Sequence, residues 1–236
     1  MNCAGRALVI IPTYNEAANI ALLLRAVLGA SDRVDALVID DNSPDGTGRI
    51  AAEFARKTPR VRVIIRHTER GRGSAGREGF LAALNLGYGL ILEMDADFSH
   101  DPRDIPRLLA AAADADVAIG SRLVAGGGES GRSWTRRMIT AFASAYLRLL
   151  LGVPQVHDCT SGFRCFRREA LLQADVSTLR SRGPAIVTEL LFRCRRMRLR
   201  EVPILFRERQ AGRSKFSLRA MIDSLLLPWR IRLRCL

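Results

Sequence analysis

Two aspartates, Asp95 and Asp97, stand one residue apart shortly after an apolar run from Leu90 to Leu92. Side chains of an extended strand repeat every second residue, so both carboxylates can point the same way where a strand ends. Two carboxylates at one point suit Mg²⁺ or Mn²⁺, which take oxygen ligands and keep positions for water and phosphates. An isolated Asp-x-Asp is more often a solvated acidic turn. The surrounding elements therefore decide between the two interpretations.

The N-terminal half alternates buried apolar runs with helix-periodic segments. Strands are predicted at Ala7–Ile11, Ala36–Asp40, Val61–Ile65, Leu90–Met94 and Val117–Ile119. A first helix is predicted from about Ala17 to Leu28, with Asn15 as N-cap, and a second from the turn at Thr47 to about Lys57. A third helix follows the glycine-rich segment and runs through Leu86, and a fourth runs from about Pro102 to Ala113. Short connections between alternating elements are typical of an α/β fold with a doubly wound, mostly parallel sheet.

Polar clusters follow three of these strands, at Pro12–Glu16, Asp40–Asp45 and Asp95–Asp97. Open α/β sheets bind ligands outside the carboxyl ends of their strands. Three such clusters at one edge are poorly explained as independent solvated turns. The sequence therefore favours a ligand site there.

The Gly-x-Gly-x-x-Gly pattern of dinucleotide-binding folds does not follow the first strand. Gly71, Gly73 and Gly76 follow the third strand instead. We interpret this segment either as a turn that brings Arg70 or Arg72 near phosphate or as a purely structural loop. An Asp-x-Asp site without that pattern indicates a nucleotide whose diphosphate is held mainly by metal.

Length and composition are those of a single large α/β domain, with or without a C-terminal appendage. The chain has 236 residues and five cysteines, none of them in a Cys-x-x-Cys pair. This cysteine usage fits a reduced, cytoplasmic setting. We recognise no signal segment at the N-terminus and no apolar stretch of the roughly 18 residues that a membrane-spanning helix needs.

Positive charge is concentrated in the second half of the chain. Residues 1–118 hold 14 basic and 16 acidic residues, a net charge of −2, whereas residues 119–236 hold 23 and 8, a net charge of +15. A basic half can face nucleic acid, an anionic membrane surface or a phosphorylated ligand. Nucleic acid ranks last, because neither interleaved aromatic residues nor a helix-turn-helix is recognisable.

Two stretches, Trp134–Leu151 and Phe216–Leu236, combine arginines with broad apolar surface. This composition is typical of helices that lie in a membrane interface. For the middle of the first stretch we favour an ordinary core-facing helix, and for the second stretch the membrane interface. We therefore expect an α/β domain at 1–215 and a basic amphipathic segment at 216–236 that attaches the protein peripherally to a membrane.

Five motifs occur in the order seen in family-2 glycosyltransferases, and the chain resembles the polyprenol (dolichol) phosphate mannose synthases of that family. The motifs are Ile11–Glu16, Val38–Thr47, Glu93–His100, Gly120–Arg122 and Asp158–Arg164. The resemblance spans Leu8 to about Lys215. It implies a GT-A fold, GDP-mannose as first-choice donor, a polyprenyl phosphate acceptor, Mg²⁺ or Mn²⁺, and a place on the cytoplasmic face of the membrane.

The resemblance also implies residue roles. Asp95 and Asp97 match the catalytic diphosphate and metal positions, with Ala96 between them, and Ser99 falls where some relatives place a glutamine metal ligand. Pro12, Tyr14, Glu16, Ile39 and Asp41 match nucleoside contacts. Arg122, Arg136, Arg137, Arg209 and Lys215 match positions near the donor diphosphate and the acceptor phosphate. The segment Arg70–Gly79 departs from the family pattern, with Arg72 in a leucine place and Gly76 where an aromatic is common.

The chemistry of the acceptor and the identity of the donor stay open. A phosphate monoester needs no activation as a nucleophile, because its second pKa is about 6. A sugar hydroxyl acceptor would need a general base, for which Asp158 or Glu189 is a candidate, although Asp158 could simply pair with Arg164. UDP-glucose is a second possible donor. A non-catalytic nucleotide-binding, membrane-associated protein is a hypothesis from a different functional class. The sequence does not reveal whether a membrane-protein partner is required.

Overall fold

The computed structural model describes residues 3, 5–68, 70–208 and 229. The strands are β1 (Ala7–Thr13), β2 (Val34–Asp40), β3 (Val61–Ile65), β4 (Leu90–Glu93), β5 (Val117–Ser121), β6 (Gly128–Ser130), β7 (Arg164–Arg167), β8 (Leu199–Pro203) and β9 (Leu205–Arg207). The helices are α1 (Ile20–Ala30), α2 (Thr47–Lys57), α3 (Arg72–Asn85), α4 (Ile105–Ala111), α5 (Trp134–Leu151), α6 (Arg168–Gln173) and α7 (Ile186–Arg193).

Seven strands form the central sheet, in the order β3-β2-β1-β4-β7-β5-β8. All neighbouring pairs are parallel except those of β7, which runs antiparallel to both β4 and β5. The carboxyl ends of β1, β2, β4 and β5 therefore meet at one edge. Strands β6 and β9 pair in parallel as a separate two-stranded sheet. The prediction of a mostly parallel α/β sheet is confirmed.

Helices cover both faces of this sheet. Alternate residues of β1 face opposite sides, so Leu8 and Ile10 belong to one hydrophobic core and Val9 and Ile11 to the other. Helix α3 packs into the first core and α1 into the second. Strands buried on both faces read as continuous apolar runs, which is why the sequence located them well.

The start of α1 differs from the sequence-based expectation. The helix begins at Ile20, with Asn19 as N-cap, and not at Ala17 with Asn15 as N-cap. Asn15 lies in the left-handed region with φ +60°, and its N–H donates to Ser43 Oγ at 3.0 Å. The end of strand β1 and the start of helix α1 are therefore both displaced along the sequence, and the loop between them is tied to the loop after β2.

Strand β7 was not predicted. It carries Arg164, which is fully buried and donates to the carbonyl oxygens of Val187 and Cys159 at 2.7 and 2.9 Å. Burial lowers the pKa of Arg164 below its ordinary value. Asp158 does not pair with this arginine but with Arg122, so the suggested Asp158–Arg164 pair is wrong.

Helix α5 exposes most of its apolar side chains. Trp134, Phe142 and Leu149 are each more than 70% exposed, and Met138 and Ile139 at least half exposed. The buried positions are Thr140, Ser144, Leu147 and Leu151. Our expectation that the middle of this helix faces the core was therefore wrong, because only one narrow line of α5 packs inward.

The C-terminal segment lies largely outside the described residues. The proposed boundary at residue 215 and the amphipathic stretch 216–236 fall there, apart from Trp229, whose indole N–H donates to Tyr146 Oη on α5 at 3.0 Å. Among the helices that the structure describes, none is both long and apolar enough to cross a membrane.

Candidate active site

The Asp-x-Asp loop follows β4 at the carboxyl edge of the sheet. The backbone N–H of Asp95 donates to Nδ1 of His100 at 3.2 Å, and Phe98 adopts φ +59°, which turns the chain back. The His100 ring stacks on Phe163 at 4.9 Å between centroids. Burial lowers the pKa of His100, so its imidazole is neutral and can accept that N–H. His100 thus fixes the backbone from which Asp95 projects.

This loop carries three oxygen-bearing side chains, those of Asp95, Asp97 and Ser99. Asp97 is buried, and its Oδ1 accepts the N–H of Ser99 at 3.0 Å. The Ser99 hydroxyl is buried too, and its oxygen has no hydrogen-bond partner in the described part of the chain. An unsatisfied buried hydroxyl beside a carboxylate carries a cost that a hard cation would remove. Asp95, Asp97 and Ser99 therefore fit a Mg²⁺ or Mn²⁺ ion.

The arrangement of His, Cys, Asp and Glu side chains and the state of the cysteines bear on other metal chemistries. Within residues 3, 5–68, 70–208 and 229, no cluster of three or more His, Cys, Asp or Glu side chains is arranged to hold a metal. The cysteines at 3, 159, 165 and 194 are buried and free. Burial raises the pKa of Cys159, Cys165 and Cys194 to about 12, which keeps them as inert thiols.

Arg72 is the cation that the structure places directly on the Asp-x-Asp loop. Its Nε and Nη2 lie 3.2 and 3.0 Å from Oδ1 of Asp95, and its Nη1 lies 3.3 Å from Oε1 of Glu93. Burial disfavours the charge on Arg72, yet Glu93 and Asp95 raise its pKa above the ordinary value. Burial also raises the pKa of Glu93, against the effect of Arg72. Of the two arginines suggested from the glycine-rich segment, Arg72 is therefore the one beside the predicted metal ligand Asp95.

The second of those arginines, Arg70, lies beside Tyr14, at the strand end predicted to contact the nucleoside. Its guanidinium carbon is 5.4 Å from the ring centroid of Tyr14, at the end of β1. Glu16 Oε2 accepts from the Asn19 side chain at 2.9 Å, and Pro12 and Tyr14 are partly exposed. Pro12, Tyr14 and Glu16, predicted to contact the nucleoside, line the same strand end.

The end of β2 is more deeply buried than its predicted role suggests. Ile39 is fully buried in the core, and Asp41 is 5% exposed. Asp41 accepts from Arg66 Nε and from the backbone N–H of Gly71, both at 2.7 Å. Asp41 therefore ties the segment that precedes α3 to β2, while nucleoside contacts by Ile39 and Asp41 stay predictions.

Arg122 follows β5 and is held by two carboxylates. Its Nε lies 2.7 Å from Oδ2 of Asp158, and its Nη2 lies 2.7 Å from Oδ1 of the same carboxylate. Its Nη1 is 3.5 Å from Oε1 of Glu129. Burial disfavours both charges, yet the pair raises the pKa of Arg122 and lowers that of Asp158. A bidentate pair of this kind fixes the plane of the guanidinium, so the Arg122 side chain is held in one orientation.

Arg136 and Arg137, at the start of α5, are exposed. Arg136 pairs with Glu208, and Arg137 donates to the Glu129 carbonyl at 2.8 Å. Sequence reasoning missed their neighbour Arg132, whose Nη1 lies 2.6 Å from Glu129 Oε1. No local pattern marks it, because Glu129 lies on β6 and Arg132 in the loop before α5. The structure thus gathers arginines from the loop before α5 and from its first turn.

Phe206 on β9 joins the arginines to the Asp-x-Asp loop. Its ring centroid lies 5.2 Å from the Arg122 guanidinium, 5.5 Å from that of Arg132 and 5.8 Å from the His100 ring. This residue was also missed, since nothing in the sequence distinguishes it from an ordinary strand aromatic. Arg209 and Lys215, predicted to lie near the donor diphosphate and the acceptor phosphate, are outside the described residues.

Comparison with known proteins identifies the family to which the chain belongs. The family model "Glycosyl transferase family 2" matches residues 8–173. The chain is a family-2 glycosyltransferase. It is 46% identical over 216 residues to the polyprenol monophosphomannose synthase of Mycolicibacterium smegmatis, covering 90% of this chain and 81% of that protein. It is 43% identical over 214 residues to the undecaprenyl-phosphate mannosyltransferase of Micrococcus luteus, covering 90% and 88%.

The fold of the glycosyltransferase has solved counterparts. One is the glucosyl-3-phosphoglycerate synthase of Mycobacterium tuberculosis in complex with Mn²⁺ and UDP-glucose, with a TM-score of 0.68. The match covers 94% of this chain and 78% of that one, at 19% sequence identity. Identity this low supports a shared fold and nothing about substrate. The expected GT-A architecture is thereby confirmed.

Proposed function

We propose that this glycosyltransferase moves mannose from GDP-mannose to the phosphate of a polyprenyl phosphate, with inversion at the anomeric carbon and with Mg²⁺ or Mn²⁺ as cofactor. The M. smegmatis and M. luteus relatives, a polyprenol monophosphomannose synthase and an undecaprenyl-phosphate mannosyltransferase, support the sugar and the acceptor class. The observation that carries the proposal is the continuity through Phe206 between Arg122 and the Asp-x-Asp loop. An arginine site for an anionic acceptor thus adjoins an oxygen site for a diphosphate donor.

The donor side is built to hold a leaving diphosphate. Asp95, Asp97 and Ser99 would hold the cation, which when bound supplies charge stabilisation to the departing GDP. His100 keeps the Asp95 backbone in place through its 3.2 Å hydrogen bond. The strand end at Pro12, Tyr14 and Glu16 would take the nucleoside, with Ile39, Asp41 and Ala96 behind it and with Arg209 and Lys215 as further donor contacts.

The acceptor side explains why no general base is needed. A phosphate monoester is mostly dianionic at neutral pH, so its oxygen can attack the anomeric carbon while the bond to GDP breaks. Arg122, Arg136 and Arg137 would bind and orient that phosphate. A single displacement of this kind inverts the anomeric centre.

Transfer to a sugar hydroxyl is disfavoured by the state of the two candidate bases. Asp158 is fully buried, its pKa is lowered by Arg122, and both of its oxygens accept from that arginine. Glu189 accepts the N–H groups of Arg180 and Ser181 at 3.1 and 2.9 Å and a bond from Arg193. The lowered pKa of Asp158 makes it a poor proton acceptor, and both oxygens of Glu189 are already engaged in hydrogen bonds.

The enzyme would act at the cytoplasmic surface of a membrane, where its lipid acceptor resides. The exposed apolar side chains of α5 and the basic sequence at 216–236 support peripheral attachment. The same face could take a membrane-protein partner in place of lipid. Vesicle binding by the isolated chain separates these two modes of attachment.

The proposal is tested by incubating the protein with radiolabelled GDP-mannose or UDP-glucose, a short polyprenyl phosphate and Mn²⁺, with and without chelator. We expect label in the lipid fraction from GDP-mannose only, and its loss with chelator or in Asp97→Ala. Asp114→Ala, an exposed acidic residue on the loop before β5, is the matched control and should keep full activity.

Different outcomes would contradict different parts of the proposal. Transfer from UDP-glucose in place of GDP-mannose would assign a different donor to the same site. Transfer that survives the chelator, or full activity of Asp97→Ala, would remove the metal-dependent mechanism. Polyprenol without its phosphate should not be an acceptor, and if it were, the anionic-acceptor argument would fail.

A further inference from the structure

Arg72 and Gly76 are the two positions at which the glycine-rich segment departs from the pattern of related glycosyltransferases. In the structure both departures meet at one group, the carboxylate of Glu93. Arg72 Nη1 lies 3.3 Å from Glu93 Oε1, and a Cβ added at Gly76 would lie 2.8 Å from the same oxygen. A side chain at 76 would therefore displace the Glu93 carboxylate from its contact with Arg72, so the two departures belong together.

Arg72 bridges Glu93 and Asp95 from the first turn of α3. Glu93 and Asp95 accept hydrogen bonds from this guanidinium, and the charge of Asp97 also raises its pKa, so three carboxylates act on a single arginine. A Cβ added at Gly162 would lie 2.7 Å from Arg72 Nη2, so a glycine from another motif leaves room for this arginine. The side chain thus occupies a fitted position between two carboxylates and is not a solvated surface arginine.

We propose that Arg72 is a permanent second cation of the donor site, which weakens the binding of a free divalent cation and strengthens the binding of that cation together with a nucleoside diphosphate. The inference rests on the proposed function of Asp95 and Asp97 as metal ligands. It assigns to Arg72 a role in the coupling between the affinity for the cation and the affinity for the nucleotide.

The physical reason is competition for Asp95. In the donor-free protein, Arg72 donates two hydrogen bonds to Oδ1 of Asp95, and its charge repels a second cation. A diphosphate brings negative charge that satisfies both cations at once. Binding of the cation and binding of the diphosphate then assist each other, and this coupling is reciprocal by thermodynamic linkage.

The test measures Mn²⁺ binding to the full chain, without any transfer reaction. The electron paramagnetic resonance signal of free Mn²⁺ gives its dissociation constant in the absence of nucleotide, and calorimetry gives that of GDP with and without saturating Mn²⁺. For Arg72→Leu we expect Mn²⁺ alone to bind about tenfold more tightly, and the enhancement of GDP binding by Mn²⁺ to fall by about tenfold or more.

Three further variants separate the contact from net charge and from folding. Arg72→Leu with Glu93→Gln keeps the local formal charge of the wild type and removes the buried unpaired carboxylate, and it should show the same two changes. Arg72→Lys keeps a cation and should restore most of the coupling. Arg103→Leu, an exposed arginine that pairs with Asp101, is the matched control and should change neither constant.

Unchanged Mn²⁺ affinity and unchanged coupling in both Arg72→Leu variants would overturn the inference, because Arg72 would then be only the counter-ion of Glu93. Failure of Mn²⁺ to bind any variant would overturn it as well. Chelator-resistant transfer by the wild type is a separate result, which contradicts the proposed metal-dependent function.

Discussion

Ser99 and Ser144 are both buried serines whose hydroxyl oxygens have no hydrogen-bond partner among the described residues. Replacing either by alanine removes an unsatisfied polar group, so neither change should lower the free energy of unfolding by more than about 0.5 kcal/mol. Only Ser99 lies beside Asp97. We therefore expect Ser99→Ala, and not Ser144→Ala, to weaken Mn²⁺ binding, by about tenfold, as measured by calorimetry with GDP present. Equal Mn²⁺ affinities in the two variants would exclude Ser99 as a ligand.

The Arg122–Asp158 pair gives a pH-dependent prediction. Asp158→Asn leaves Arg122 without its main partner, and we expect a loss of about 3 kcal/mol in unfolding free energy near pH 7. Because the folded-state pKa of Asp158 is lowered, its contribution is present above the unfolded pKa and is lost as pH falls through the folded value. In urea titrations the difference in unfolding free energy between wild type and variant should be constant at neutral pH and should become smaller below about pH 4.

Asp116→Asn, which breaks the solvent-exposed pair with Arg198, is the control for this comparison and should cost much less. If Asp158→Asn and Asp116→Asn were equally stable at pH 7, the buried pair would have no special energetic role. A difference that widened on acidification would show that the sign of the pKa shift is wrong.

At the residue scale, the sequence located what local chemistry defines and missed what tertiary contacts define. Asp95 and Asp97 were found because their spacing follows a strand. Arg132 and Phe206 were missed, because an arginine after a loop glutamate and a strand aromatic look ordinary until the fold brings them to Arg122. The partner of Asp158 was wrong for the same reason, since the nearest arginine in sequence is not the nearest in space.

At the scale of elements, α3 approaches β1 so closely that only glycine fits. A Cβ at Gly79 would lie 2.4 Å from Cγ2 of Ile10, in the interior of the sheet. We expect Gly79→Ala to lower the unfolding free energy by about 1–3 kcal/mol through overpacking, and to reduce transfer activity because Arg72 sits on the same helix. Denaturant titration and the radiolabel assay measure the two effects.

Gly29→Ala in α1 is the matched control, because a Cβ there meets no atom within 4 Å. Alanine should raise helix stability at that position by about 0.5–1 kcal/mol. Destabilisation by Gly29→Ala of the same size as that by Gly79→Ala would mean that close packing of α3 on β1 is not the cause.

Elements that obey simple periodicity were predicted well, and those that depend on distant partners were not. The range of β3 was predicted to the residue, because a short apolar run between turn residues, interrupted only by Arg62, is a recognisable strand pattern. Strand β7 has only four residues and gains its place by antiparallel pairing with β4 and β5, which no local pattern indicates. The late start of α1 reflects the positive φ of Asn15 and the bonds that join the two strand-end loops.

At the scale of the whole molecule, charge and apolar surface are distributed unequally. The net charge is −2 for residues 1–118 and +15 for residues 119–236. Helix α5 belongs to the positive half and combines exposed arginines with exposed Trp134, Met138 and Phe142. The indole of Trp229 donates to Tyr146 on the same helix. A basic, apolar face therefore lies beside the arginines proposed to bind the acceptor phosphate.

Attachment to an anionic bilayer should depend on this face. In sedimentation with phosphatidylglycerol-containing vesicles at low salt, we expect the wild type to pellet, and Phe142→Ser with Met138→Ser to weaken binding by about tenfold or more, since each change removes an apolar side chain from lipid. Leu172→Ser, which alters a 53% exposed leucine on α6, is the matched control and should bind like the wild type. High salt should release part of the protein, because screening weakens the attraction of arginines to anionic headgroups. Equal pelleting of both variants at low salt would mean that α5 does not contact lipid, and the membrane face would then have to be sought in the segment 216–236 alone.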